Sequence, residues 1–204
     1  MRNKPQNKII LIVLLSAVLF APGLYAQKPT AKTFLDIGIK NAEEAEYSEA
    51  IDSFKHAIKL KPDYGEAYLN LGHAYFNLHR YTESADAYKK AVEVRPKYVN
   101  GYISLGVVSS MLGRDDEAVS ALKKAVKYGT KNAEAPYRLG IVYTELEQHE
   151  NAVKAFKKAV KINPKFAQAR FNLGVAYLEL RAQMLKEANR EYGILKKLDK
   201  NLAE

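Results

Sequence analysis

Four histidines, His56, His73, His79 and His149, are the side chains best suited to proton transfer or metal ligation in this chain. None stands in an H-E-x-x-H pair, and the absence of cysteine removes thiolate ligands, disulfides and an acylated N-terminal cysteine. No serine lies in G-x-S-x-G, and no glycine-rich loop suits a phosphate. An active site needs groups whose chemistry fits together, and these do not. The chain reads as non-catalytic, with no cofactor and no metal. His73 is the histidine expected to face a groove, as an ordinary polar contact.

Lysines carry a more regular signal. Lys55, Lys89, Lys123 and Lys157 recur at 34-residue spacing, with Lys90, Lys124 and Lys158 each one place further on. Such a ladder is a candidate contact for anionic lipid, cell-wall polymer or nucleic acid. A row of solvated lysines that keeps the protein soluble is the plainer reading. Nucleic acid is not expected, because no aromatic residues are interleaved for stacking.

The lysine spacing belongs to a period that governs the whole chain. Gly38, Gly72, Gly106, Gly140 and Gly174 form an arithmetic series of step 34. Around Gly72, Tyr68, Leu71 and Tyr75 share one helical face. After a polar break at His79–Thr82, Ala87, Tyr88, Ala91 and Val94 mark the inward face of a second helix, and Pro96 closes the unit. A small residue at each such glycine lets the second helix approach the first closely, with Tyr75 filling the space beside the crossing. A lone hairpin cannot bury both apolar faces, so like units must stack.

Residues 65–98 resemble a tetratricopeptide repeat, whose pattern is W-x2-L-G-x2-Y, then A-x3-F, then P. Tyr68, Leu71, Gly72, Tyr75, Ser84, Tyr88, Ala91 and Pro96 stand at those places. The resemblance implies an all-α, right-handed α-solenoid of about five helix-turn-helix repeats, at 31–64, 65–98, 99–132, 133–166 and 167–200, followed by a tail at 201–204. The first unit departs from the pattern at Asn41. The third has Ser109 where tyrosine is usual and Thr130 in place of proline, and is expected to be the least stiff. The fourth puts Pro136 in the first turn of its helix, where a missing N–H costs little. In the fifth, a loop from Arg181 to Lys186, two residues longer than the others, is expected before a second helix with Ala188, Tyr192 and Leu195 inward. Tyr75, Tyr143 and Tyr177 are expected in the core.

Residues 1–26 have the three parts of a secretory signal: basic Arg2, Lys4 and Lys8, an apolar run from Ile9 to Phe20, and a helix-breaking Pro22-Gly23 before Ala26. Its 12 residues fall short of the ~20 needed to span a bilayer. Cleavage after Ala26 is expected, an uncleaved anchor being the alternative, with residues 27–30 as a linker. Export to the bacterial periplasm or beyond follows. Losing those three cations, with no acid in the leader, takes the net charge from +9 to +6.

The resemblance also locates the binding face, on the concave side lined by the first helix of each unit. Carried onto this sequence, the positions are Leu69, His73, Phe76 and Asn77; Ile103, Val107, Ser110 and Met111; Tyr137, Ile141 and Thr144; and Phe171 and Val175. The charges over these positions in all five units are one base, Lys32, against the acids Glu43, Glu66, Glu134, Glu145 and Glu179, so the groove is expected to be apolar with acidic points. Relatives that clamp a terminal carboxylate use Lys and Asn in the first repeat, where this chain has Leu35 and Ile39. That mode is rejected. The reading is a scaffold or assembly factor of the bacterial envelope, holding a partner peptide or helix with apolar anchors and a Lys or Arg. The alternative is a surface-associated protein held through the lysine ladder. Self-association through the open final repeat stays available.

Overall fold

The computed structural model describes residues 28–198, with side chains as far as Ile194; the leader and the tail at 201–204 lie outside this range. Among the described residues there are nine α-helices and no strands: α1 Ala31–Glu43, α2 Tyr47–Leu60, α3 Gly65–Asn77, α4 Tyr81–Val94, α5 Val99–Met111, α6 Asp115–Tyr128, α7 Glu134–Glu145, α8 His149–Ile162 and α9 Ala167–Leu198. The first eight form four antiparallel hairpins, each packed on the next.

The glycine series closes each hairpin. A Cβ on Gly38, Gly72, Gly106 or Gly140 would lie 2.5 Å from Phe54, Tyr88, Leu122 or Phe156 of the second helix. Only a bare Cα leaves room for these side chains, which are almost wholly buried. Small residues complete each crossing: Ala50 and Ala57, Ser84 and Ala91, Ala118 and Ala125, and Ala152 and Ala159 are inaccessible to solvent. Between units, Phe54 and Ile51 of one hairpin share a core with Leu71, Ala74 and Tyr75 of the next.

The turns repeat as faithfully as the cores. Ala45, His79, Gly113 and Glu147, again 34 apart, have φ of 60°, 58°, 67° and 55°. At the second turn the His79 N–H donates to the Phe76 carbonyl and the Arg80 N–H to the Tyr75 carbonyl, both at 2.9 Å. This is a Schellman closure, which satisfies carbonyls that the helix end leaves bare. The other three turns make the same pair of bonds. None of the four second helices has a side-chain N-cap, so these backbone bonds carry the reversal.

Ser109, where tyrosine is usual, is fully buried and its Oγ donates to the Glu117 carboxylate at 3.0 Å. The fifth unit is not the hairpin expected. Residues 181–186, expected as a loop, lie within the single 32-residue helix α9. The stretch Leu180 to Glu187 (Leu-Arg-Ala-Gln-Met-Leu-Lys-Glu) contains strong helix formers and no Gly, Asn, Pro or capping residue. Nothing in it favours a break. Tyr177 is therefore not a core residue: it is 43% exposed, whereas Tyr75 and Tyr143 are 7% exposed.

Candidate functional site

The first helices α1, α3, α5, α7 and the start of α9 follow one another along the array, and polar side chains tie several of them together. His73 Nε2 of α3 meets Ser104 Oγ of α5 at 3.4 Å. Ser110 Oγ of α5 donates to Glu145 Oε2 of α7 at 2.9 Å. Asn172 Nδ2 of α9 reaches the Tyr137 hydroxyl of α7 at 3.5 Å. These bridges join residues 31 or 35 apart in sequence and fix neighbouring helices at one spacing. The family resemblance assigned most of the residues involved to this face; that they would bond to one another was not visible in the sequence.

The apolar side chains on this face fall into three groups. Leu69 is a correction: at 7% exposure it belongs to the core with Tyr88 and Tyr102, because α5 covers it. Ile103, Val107, Ile141 and Val175 are half-buried. Phe76 and Tyr137 are half-buried too, but lean on neighbouring rings, Phe76 on Tyr81 at 5.5 Å and Tyr137 on Phe166 at 4.7 Å. Met111 and Phe171 project furthest, at 52% and 71% exposure. Among the polar members, Asn77 is exposed and caps its own helix through the His73 carbonyl, while Thr144 is half-buried and bonds the Gly140 carbonyl.

His73 is exposed as a residue, but one side of its ring stands against Tyr88, with centroids 5.4 Å apart. Loss of hydration on that side lowers its pKa below the ordinary 6.5. The Tyr88 phenol, buried at the glycine crossing, is pushed up to about 12. A neutral imidazole beside a protonated phenol and a serine is a packing arrangement, with no nucleophile or base aimed at open space. Among the described residues, no group of His, Asp and Glu is placed to hold a metal ion. No described helix is long and apolar enough to cross a membrane.

The lysine ladder lies on the exposed faces of α2, α4, α6 and α8. Several of its members already have local work. Lys55, Lys124 and Lys157 stand over the rings of Tyr75, Tyr102 and Tyr177 at 5.9, 5.6 and 5.2 Å, and Lys90 pairs with Glu93 at 2.7 Å. Their stems cover the tyrosines while the charges stay in water. Lys89, Lys123 and Lys158 complete the row as exposed residues.

Models of the tetratricopeptide repeat match residues 43–79, 65–98 and 142–180. Residues 43–98 and 142–180 thus carry the tetratricopeptide-repeat pattern, within an all-α solenoid of the same kind. It is similar to a crystal structure of the MamA protein, with 28% identity over 82% of this chain and 92% of that one, at a TM-score of 0.69. It also resembles YrrB, described as a TPR protein with an unusual peptide-binding site (22% identity, 76% and 80% coverage, TM-score 0.65). A third similar structure is the first TPR of Spaghetti (RPAP3) bound to the HSP90 peptide SRMEEVD (22% identity, 61% and 98% coverage, TM-score 0.56). No curated protein sequence matches the chain. Tetratricopeptide repeats mediate protein–protein contacts, and in these units the first helices present the apolar row while the second helices present lysine.

Proposed function

We propose that this protein is a non-catalytic adaptor that holds an extended or helical segment of a partner protein along the faces of α1, α3, α5, α7 and the start of α9. One observation carries the reading. Val107, Ile103, Ile141, Val175 and Met111 keep apolar surface exposed on helices already locked together by His73–Ser104 and Ser110–Glu145. A pre-formed apolar surface binds without the cost of ordering itself. Acidic Glu145 and Glu179, both exposed on the same helices, favour a segment carrying Lys or Arg among its apolar anchors.

A C-terminal carboxylate clamp is not part of the proposal. Leu35 is 2% exposed and packs in the first core, and Ile39 is half-buried, so the first unit offers apolar groups at the places a clamp needs Lys and Asn. The signal-like residues 1–26 put the adaptor in the bacterial envelope in this reading, as a scaffold or assembly factor.

Site-specific photo-crosslinking tests the groove. A photoreactive residue at Val107 is expected to capture a protein in the native extract, while one at Lys123 on the opposite helices captures none. Ile141→Glu in the same chain, on the neighbouring first helix, abolishes the adduct. The same adduct from Lys123, or none from Val107, overturns the proposal.

A further inference from the structure

The fifth unit holds half of a lock that the other four close. Gly174 continues the glycine series, yet a Cβ built on it would meet nothing within 4 Å. In each complete unit the residue 16 places after the glycine sits on it: Phe54, Tyr88, Leu122 and Phe156. Allowing for the two extra residues in the fifth unit, the matching side chain is Tyr192, an aromatic like three of those four. Tyr192 follows Gly174 in the same unbroken helix. At ~1.5 Å rise per residue it lies roughly 27 Å from its seat. It cannot reach its own Gly174.

The surface between them is apolar and open. Tyr177, Leu180, Arg181, Met184, Leu185 and Ala188 line a recess of ≈ 460 Å³ on α9. Tyr177, Met184 and Leu185 are 43%, 61% and 55% exposed. Gly174, Tyr177, Arg181, Met184, Ala188 and Tyr192 follow one another at steps of three and four, a single stripe of one helix. The stripe thus carries seat and filler at its two ends, which makes it complementary to itself when turned end for end.

We propose that α9 is the arm of a swapped homodimer. Two copies pair antiparallel along this stripe, so that the partner subunit's Tyr192 seats on Gly174 and Tyr192 seats on the partner subunit's Gly174. The interface is isologous, with its two-fold axis near Gln183, and each solenoid receives from the other copy the second helix its fifth unit lacks. This rests on the repeat register alone, and its failure leaves the groove reading standing.

The chain has no cysteine, so a designed pair reports the contact without background. Full chain carrying Tyr177→Cys and Ala188→Cys is oxidised and run without reductant, and wild-type chain is weighed by light scattering. A dimer in solution and a disulfide between two chains are expected. Gly174→Ala is the second arm. On an open helix that change strengthens the helix, but under the partner subunit's Tyr192 it overpacks the seat, and the dimer dissociation constant should rise about tenfold or more. Circular dichroism of this variant, whose substitution lies outside the four hairpins, confirms that they remain folded. A disulfide closed within one chain, no disulfide at all, or a dimer indifferent to Gly174→Ala overturns the proposal.

Discussion

Gly140→Ala tests the crossing that every complete hairpin shares, because two opposite effects meet there and their magnitudes decide the sign. In a solvated helix the change is favourable by about 0.5–1 kcal/mol, since alanine loses less backbone entropy on folding. At this position the new Cβ would stand 2.5, 2.6 and 2.8 Å from Cε1, Cδ1 and Cζ of Phe156. Ordinary contact begins at 3.4 Å, so the ring must withdraw by about 0.9 Å. It has little room to do so: Phe156 is 1% exposed and lies in one core with Leu139, Tyr143 and Ala152, with the Tyr137 ring 6.0 Å away. Overpacking of this kind costs about 1–3 kcal/mol; with the ring this confined the upper half of that range applies, about 2–3 kcal/mol, which leaves a net loss of roughly 1–2.5 kcal/mol. Urea unfolding followed by helical circular dichroism measures it, with the slope checked because repeat arrays can unfold in parts. In a Phe156→Ala background the ring is gone, and Gly140→Ala should become neutral or stabilising. A wild-type background that tolerates Gly140→Ala without loss, or an equal loss in both backgrounds, refutes the packing argument.

Two further outcomes follow from local geometry. Glu147 adopts φ of 55° at the fourth turn, where Gly113 serves in the third. Glu147→Gly should therefore raise stability by about 0.5–1 kcal/mol; a lower unfolding midpoint would contradict the turn assignment. For His73, burial holds the folded pKa below 6.5, so the unfolded chain binds more protons just below that pH. The stabilising contribution is complete above pH 6.5 and is lost as pH falls through 6.5 towards the lowered folded value. His73→Gln should flatten this part of the pH–stability curve, and an unaltered curve would remove His73 as its source.

Most of the architecture was legible because one number, 34, organises it. The glycines, their covering residues, the left-handed turn positions and the lysines all keep that step. What the period could not supply was coverage. Leu69, Ile103, Tyr137 and Phe171 occupy one repeat position, yet Leu69 is 7% exposed and Phe171 71%. The position is the same; the difference is whether a following unit lies over it. The fifth hairpin was misread for a related reason. The turn was inferred from the period against the local preference of residues 180–187, which is helical throughout, and Ala188 and Tyr192, expected inward, are exposed.

The same distinction bears on function. A repeat position becomes a binding position only where packing leaves part of it open, and along this array packing is uneven. In α3 the residues that maintain the fold, Leu71, Gly72 and Tyr75, are buried, and Leu69 beside them is drawn into the core by α5. In α5, Val107 is only half-buried and Met111 is 52% exposed. At Phe171 and Leu178, exposed at 71% and 68%, no further unit packs over α9 among the described residues. The accessible apolar surface therefore grows from α3 towards α9. A partner segment bound along the array should gain most from the third to fifth units, and substitutions there should weaken binding more than equivalent ones in the first.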